Sequence, residues 1–215
     1  MADEANTAKE AAVANVKDIK KRLAKLDADA LDLMFLQART FRAWLDKPVS
    51  DDLLKQLHDM FIMGPTSNNC LPGRVVYIKS AVAKERLKGC LNEGNIEKAM
   101  PAPVNAIIAY DLNFHEQLEK YSGRPGDRFA KDAALAQSTA LRNSSLQGAY
   151  FILAARALGL DAGPLSGFDN EATDQEFFAG TPLKSNFVCN IGYGDPDTVR
   201  PRGLRPTFDE ISEIL

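Results

Sequence analysis

Gly64-Pro65-Thr66-Ser67-Asn68-Asn69-Cys70-Leu71-Pro72-Gly73 separates two segments of different periodicity, and its reading decides the fold class. Before it, Pro48-Val49-Ser50 supplies a helix start, and Leu53, Leu54, Leu57, Met60 and Phe61 recur at helical spacing as a buried stripe that Gly64-Pro65 brings to an end. After it, Val75 to Ile78 is β-branched and aromatic, the pattern of a strand. The residues between are small hydrogen-bonding groups in a rigid turn, able to read the polar edge of a heterocycle; an ordinary capped loop has the same composition.

Two further strands are expected at Val104 to Tyr110 and Phe187 to Ile191, and most of the remaining chain is helical. The longest periodic segment runs from about Asp132 to Leu158, polar at first and almost wholly apolar from Ala149, with Gly159 ending it: a central buried helix. Asp111 to Arg128 is polar, contains Gly123, Pro125 and Gly126, and reads as a mobile excursion over the surface. Helices outnumber strands and do not alternate with them as in a doubly wound chain, which points to an α+β layer fold. Neither a G-x-G-x-x-G turn after a strand nor a G-x-x-x-x-G-K loop is present, so the two common nucleotide-binding folds are not supported.

About 27 residues at the start read as an appended helix, with Thr7 and Glu10 at capping-box spacing and Val13, Val16, Ile19, Leu23 and Leu26 along one side. Lys17, Lys20, Lys21, Arg22 and Lys25 make the other side basic; a solvated face on a helix packed against the body or a partner subunit accounts for this more simply than a membrane surface. The expected division is therefore a helical extension, 1–28, and one domain, 29–215.

The 215 residues, 45% hydrophobic and 26% charged, match a globular composition with enough chain to bury one core. A net charge of −3 leaves no global positive field to draw the protein onto nucleic acid or an anionic membrane. No apolar run approaches the ~20 residues that span a bilayer, and a basic-then-apolar leader is missing, so the expectation is a cytoplasmic protein. Cys70, Cys90 and Cys189 are scattered, with His58 and His115 as the only imidazoles, which argues against a disulfide framework and a zinc site and leaves no metal expected. Cys70 is read as core or turn packing, His58 as structural and His115 as solvent exposed.

Three more segments carry groups suited to a ligand. Arg39-Thr40-Phe41-Arg42 places two guanidinium groups and a hydroxyl at the end of a helix, a set fit for bidentate capture of phosphate, or simply a solvated arginine pair. The two glycines of Gly163-Pro164-Leu165-Ser166-Gly167-Phe168 let a backbone approach a flat ligand and donate N–H bonds, though a plain turn looks the same. Arg200, Arg202 and Arg205, in a Pro/Gly-rich stretch after the last strand, can return a cation to the first cluster.

In this order the segments resemble the FMN-dependent nitroreductase family over about Leu31 to Leu215. Arg39-Thr40-Phe41-Arg42 stands where the family has an R-S-x-R type element. Residues 64–73 stand where it has A-P-S-S-x-N-x-Q-P-W, with Leu71 and Gly73 replacing Gln and Trp, which implies a different substrate wall. Ala155-Arg156-Ala157-Leu158-Gly159-Leu160 and Ile191-Gly192-Tyr193-Gly194-Asp195 are similar to its late elements. Pro164 to Asp169, Lys184-Ser185-Asn186, Arg142-Asn143-Ser144-Ser145 and Phe177-Phe178 resemble the malonic semialdehyde reductase branch of pyrimidine degradation.

The resemblance implies a nitroreductase fold, with a central, mainly antiparallel sheet flanked by helices, in an intertwined homodimer that binds FMN and takes electrons from NADPH or NADH. It implies Arg39, Arg42 and Arg205 around the phosphate with Thr40 in the same element, and Asn69 near the flavin O4/N5 edge. Pro65, Thr66 and Ser67 would shape that wall from the other subunit, and the backbone of Pro164, Leu165, Ser166 and Gly167 would face N5. Hydride chemistry belongs to the cofactor, so no catalytic side chain is required. Arg142 and Lys184 are candidate cations for a small aldehyde acid, and equally ordinary ion-pair partners. Three activities follow: reduction of malonic semialdehyde to 3-hydroxypropanoate, a broad nitroreductase or quinone/enone reductase, or a flavin-binding interaction protein with little turnover.

Overall fold

The computed structural model describes residues 2–23 and 25–215. The chain divides between Ala38 and Arg39 into two compact units. The first holds α1 (Ala2–Arg22), α2 (Ala28–Leu31) and a π-helical turn, Asp32–Leu36. Asp27 caps α2, its carboxylate accepting from the Ala30 N–H at 2.8 Å. Helix α1 begins ahead of Thr7, so Thr7 and Glu10 lie inside it and do not form the expected capping box. Two alanines and a glutamate, strong helix formers, precede Thr7, and the helix runs through the capping signal.

The second unit contains a four-stranded sheet in the order β1-β2-β4-β3, every neighbouring pair antiparallel. Its strands are β1 (Gly73–Ile78), β2 (Val104–Asp111), β3 (Asp161–Leu165) and β4 (Leu183–Gly192). Eight helices accompany it: α3 (Asp51–Phe61), α4 (Ala81–Lys88), α5 (Glu93–Ala99), α6 (Leu118–Ser122), α7 (Asp127–Ala130), α8 (Ala133–Ala157), α9 (Asn170–Phe178) and α10 (Phe208–Ile211).

Strand β2 is almost wholly apolar, with Asn105 buried among its hydrophobic residues, because both of its faces are covered. Val104, Ala106 and Ile108 pack with Leu54, Leu57 and Phe61 of α3 and with Phe151, Ala154 and Ala155 of α8. Ile107 and Ala109, on the alternate face, pack with Leu87 of α4, Ala99 of α5 and Phe178 of α9. Helix α3 is capped by Ser50, whose hydroxyl accepts from the Leu53 N–H. Its stripe is narrower than expected: Met60 is exposed and Leu53 only half-buried. Helix α8 starts at Asp132, whose carboxylate accepts from the Leu135 N–H at 2.9 Å, and Gly159 follows its C-cap, as the sequence indicates.

Two expectations fail here. Asp111 to Arg128 stays largely exposed but is not a loose excursion: a 3-10 turn (Phe114–Gln117), α6 and α7 pin it down, burying Phe114, Leu118 and the adjacent Phe129 against Cys70, Tyr110, Ala136 and Ala140. Three apolar residues among many polar ones suffice once a separate small core exists to receive them. Gly163-Pro164-Leu165 is not a turn but most of β3, Pro164 pairing with Cys189 of β4. Pro and Gly suppress a strand signal, yet β3 is an edge strand, where the missing Pro N–H leaves no ladder bond unmade. Among the described residues no helix is long and apolar enough to cross a membrane.

Candidate functional site

The segment after Ala38 is laid along the free edge of β3. Thr40 forms a parallel bridge to Ala162, and the Phe41 N–H donates to the Ala162 carbonyl at 3.3 Å. Farther on, the Leu45 N–H donates to the Tyr193 carbonyl at 2.8 Å and the Asp195 N–H to the Ala43 carbonyl at 3.1 Å. This pairing brings Thr40 and Arg42 beside Pro164, Leu165, Ser166 and Gly167, and together they line a cleft of about 250 Å³. Its remaining walls include Asn95 and Lys98 of α5 and Asn190 of β4, none of which the sequence singles out. Arg42 and Lys98 give the cleft two cations, and no carboxylate lines it.

The loop Pro65 to Gly73 is built differently. Asn68, Asn69 and Leu71 have φ of 53°, 51° and 41°. Asn tolerates the left-handed region, but a Leu there costs on the order of 1–2 kcal/mol, so surrounding bonds must hold it. They come mainly from α8: Asn143 Oδ1 accepts from the Ser67 N–H at 2.7 Å, and Gln147 Oε1 accepts from the Gly73 N–H at 2.7 Å. Four residues apart on one helix face, these two buried amides grip both ends of the loop. The Leu71 N–H donates to Thr66 Oγ1 at 3.2 Å and Asn69 Nδ2 to the Tyr121 carbonyl at 2.8 Å. At Gly73 the Gln147 amide occupies the space a side chain would take: a Cβ there would stand 2.6 Å from Gln147 Oε1, so a larger residue requires the Gln147 side chain to move. Neither the segment 142–145 nor Gln147 carried a recognisable signal for this role, since a polar residue in a long helix ordinarily faces solvent.

Within one chain, Pro65, Thr66, Ser67 and Asn69 do not line the cleft, and neither do Arg39 and Arg205. Arg39 Nη2 donates to the Arg200 carbonyl, tying the first arginine to the segment that leads to Arg205. Arg205 itself is exposed, its Nη1 donating to the Gly203 and Leu204 carbonyls at 3.0 Å each. Arg142 is exposed on α8, one position before Asn143. Lys184 pairs with Asp174 Oδ2 at 3.2 Å. It precedes Asn190 by six positions of β4, about 20 Å along an extended strand.

Burial dominates the titratable groups nearby. Cys189, enclosed in the core, has its thiol pushed up to about 12. Cys70 and Cys90 are raised from the ordinary thiol value by the same cause, and all three are free and buried. Asp161 is raised by burial although the Gly194 N–H donates to its Oδ2 at 2.9 Å. His58 is exposed, edge-on to Phe61 at 5.2 Å. His115, expected in solvent, is half-buried beside Phe114 because its loop folds into the third core. No cluster of three His, Cys, Asp or Glu suited to a metal occurs among the described residues.

The Nitroreductase family model matches residues 36–194. A Burkholderia lata protein carrying the name NADH dehydrogenase/NAD(P)H nitroreductase is 54% identical over 194 residues, 89% of this chain and 100% of its own length. A Ralstonia nicotianae protein of the same name is 49% identical over 192 residues, covering 88% and 98%. Among solved structures, a nitroreductase of Exiguobacterium sibiricum in complex with FMN superposes with a TM-score of 0.75 at 17% identity, over 89% of this chain and 99% of that one. An enone reductase of gut-bacterial fatty acid saturation metabolism gives 0.77 at 19% identity, over 89% and 100%.

Proposed function

Since the chain belongs to the nitroreductase family, we propose that it reduces a small aldehyde acid, malonic semialdehyde, to 3-hydroxypropanoate, as an NAD(P)H-dependent FMN oxidoreductase. FMN is the cofactor and NAD(P)H the electron donor. The carrying observation is the cleft itself. It joins Thr40 and Arg42 to the Pro164–Gly167 backbone across more than a hundred residues of chain, with two cations and no carboxylate, a set that fits an anionic cofactor. FMN, when bound there, supplies hydride acceptance and donation. The chain's residues bind it, orient it and exclude water: Arg39, Thr40, Arg42 and Arg205 toward the phosphate, and Pro164, Leu165, Ser166 and Gly167 through backbone N–H groups toward the ring.

A second copy of the chain completes this reading, contributing Pro65, Thr66, Ser67 and Asn69. Three observations support the homodimer. The cleft of about 250 Å³ falls below the roughly 300–1,000 Å³ of ordinary ligand pockets. Helix α8 buries Asn143, Ser144 and Gln147 while exposing Leu141, Leu146 and Tyr150. The final segment exposes Leu204, Phe208, Ile211, Ile214 and Leu215, an apolar series that calls for a cover. The proposed division is an extension over residues 1–28 and a flavin domain over 29–215, in which the compact unit that holds the sheet begins at Arg39.

For the substrate, the supporting features are the buried Gln147 where an aromatic wall would stand, and the bonds from Asn186 Nδ2 to Ser144 and Ser145 Oγ at 2.9 and 3.0 Å. Those bonds join two of the segments that resemble the malonic semialdehyde branch. A small acid gains little from stacking and much from a cation, and Arg142, exposed beside Asn143, is better placed than Lys184, which Asp174 already neutralises. The reaction consumes the aldehyde, NAD(P)H and one proton, and yields the alcohol and NAD(P)+. A second reading, a broad nitroreductase or enone reductase, is favoured by the names of the relatives. Anaerobic single-turnover oxidation of the NAD(P)H-reduced protein by malonic semialdehyde, a nitroaromatic, a quinone and an enone separates the two. The aldehyde acid is expected to be fastest, and faster oxidation by the nitroaromatic overturns the substrate assignment.

A further inference from the structure

Helix α5 carries nothing that the sequence marks as functional, yet it is fastened to the cleft at both ends. At its C-terminal end the Lys98 carbonyl accepts from Trp44 Nε1 at 3.1 Å and from Asn190 Nδ2 at 3.5 Å. The Ala99 carbonyl accepts from Asn105 Nδ2 at 2.8 Å, and the same Nδ2 donates to Asn190 Oδ1 at 2.7 Å. Asn105 and Asn190 are buried in β2 and β4, so the sheet core itself anchors the helix end. At the other end Asn95 Nδ2 donates to the Gly167 carbonyl at 2.8 Å, and the Asn92 N–H donates to the same oxygen at 3.1 Å. The Phe168 N–H closes the turn onto the Ser166 carbonyl at 3.1 Å. Contact here is so close that a Cβ on Gly167 would stand 2.2 Å from Asn95 Nδ2.

Lys98 is the cation these bonds hold in place. It is half-buried, and its ammonium donates to Asn95 Oδ1 at 3.0 Å with no carboxylate partner among the described residues. One of three ammonium donors is used. Placing a second positive charge in a cleft that already has Arg42 is unfavourable unless a ligand brings negative charge to it.

We infer that α5 is a wall of the flavin site, in which Lys98 is a cofactor-binding cation that stabilises the reduced flavin and Asn95 is the residue that positions both Lys98 and the Gly167 turn. The inference rests on the FMN reading above. Hydride transfer brings two electrons and one proton, leaving the ring one unit more negative, and a fixed ammonium favours that state over the oxidised one.

The test uses FMN-loaded Lys98→Met, Lys98→Arg and Asn95→Ala, with the flavin dissociation constant read from fluorescence and the midpoint potential read against a reference dye. Lys98→Met keeps every backbone carbonyl that clamps α5, so a thermal melt should show it folded. It is expected to bind FMN about tenfold more weakly. Its preference for reduced over oxidised flavin should fall about tenfold, a potential about 30 mV more negative for a two-electron couple. Lys98→Arg should recover most of both, and Asn95→Ala should shift both in the same direction by less. Wild-type affinity and potential in Lys98→Met overturn the inference. So does a loss confined to the KM for malonic semialdehyde, which would make Lys98 a substrate cation. Failure of the wild-type protein to take up FMN would instead sink the flavin reading on which the inference stands.

Discussion

Replacing Asn143 by Ala tests whether α8 holds the 65–73 loop in its left-handed conformation. Asn143 is fully buried; its Oδ1 accepts from the Ser67 N–H at 2.7 Å and its Nδ2 donates to the Thr139 carbonyl at 2.8 Å. Removing the amide leaves the Ser67 N–H without its acceptor, a loss of about 1–3 kcal/mol, and forfeits a second bond of about 1 kcal/mol. The Thr139 carbonyl sits within a helix, so it is not orphaned. A total near 3 kcal/mol, at roughly 2–4 °C per kcal/mol for a domain of this size, lowers the melting temperature by about 6–12 °C. The loop also holds Asn68, Asn69 and Leu71 at positive φ, and once freed it relaxes toward ordinary backbone, so FMN binding should weaken along with stability. Lys55→Ala is the control, because its ion pair with Asp52 is exposed on both sides and contributes little. Thermal unfolding followed by circular dichroism, with and without FMN, decides the matter. If Asn143→Ala melts within a degree or so of Lys55→Ala and binds FMN like wild type, the loop does not depend on α8 and the reasoning is wrong.

Arg205→Ala should weaken FMN binding by roughly ten- to hundredfold while leaving riboflavin binding almost unchanged, as loss of a charge-assisted phosphate contact requires; equal losses for both ligands would move Arg205 away from the phosphate. Arg142→Met should lower kcat/KM for malonic semialdehyde by about ten- to hundredfold with little effect on a neutral quinone, whereas Lys184→Met, which breaks only the pair with Asp174, should leave both acceptors near wild type. The native protein should resist thiol reagents at pH 8, because burial raises all three thiols and the thiolate is the reactive form. The same shifts make the neutral thiols a feature of the folded state. Their contribution to stability is intact below the ordinary thiol value of about 8.5 and declines as pH rises through it, so urea midpoints measured between pH 7 and 10 should fall; rapid labelling of the native protein at pH 8 would contradict the burial.

Local pattern was enough for every element whose residues announce their own surroundings. The spacing of Leu54, Leu57 and Phe61, the Ser50 and Asp132 caps, and the apolar residues from Ala106 to Ala109 of β2 each report a face that must be buried, whatever lies opposite. On that basis the α+β class, three of the four strands and the long helix were legible, and the order of Arg39-Thr40-Phe41-Arg42, the 64–73 loop and Pro164–Gly167 pointed to the flavin family. The rest depended on neighbours distant in sequence. Strand β3 contains Gly163 and Pro164, poor strand formers, and becomes a strand only because β4 offers it a ladder and the Thr40 segment covers its free edge. Phe114, Leu118 and Phe129 look isolated along the chain and form a core only once Tyr110 and the start of α8 lie beneath them. Lys98 and Asn95 lie in a short helix that nothing in the sequence marks, and Asn143 and Gln147 are polar residues of a long one. Hydrogen bonding and charge act through space at about 3 Å, so the partners of these groups, the Gly167 carbonyl and the Ser67 and Gly73 N–H groups, exist as partners only after the sheet and α8 have closed.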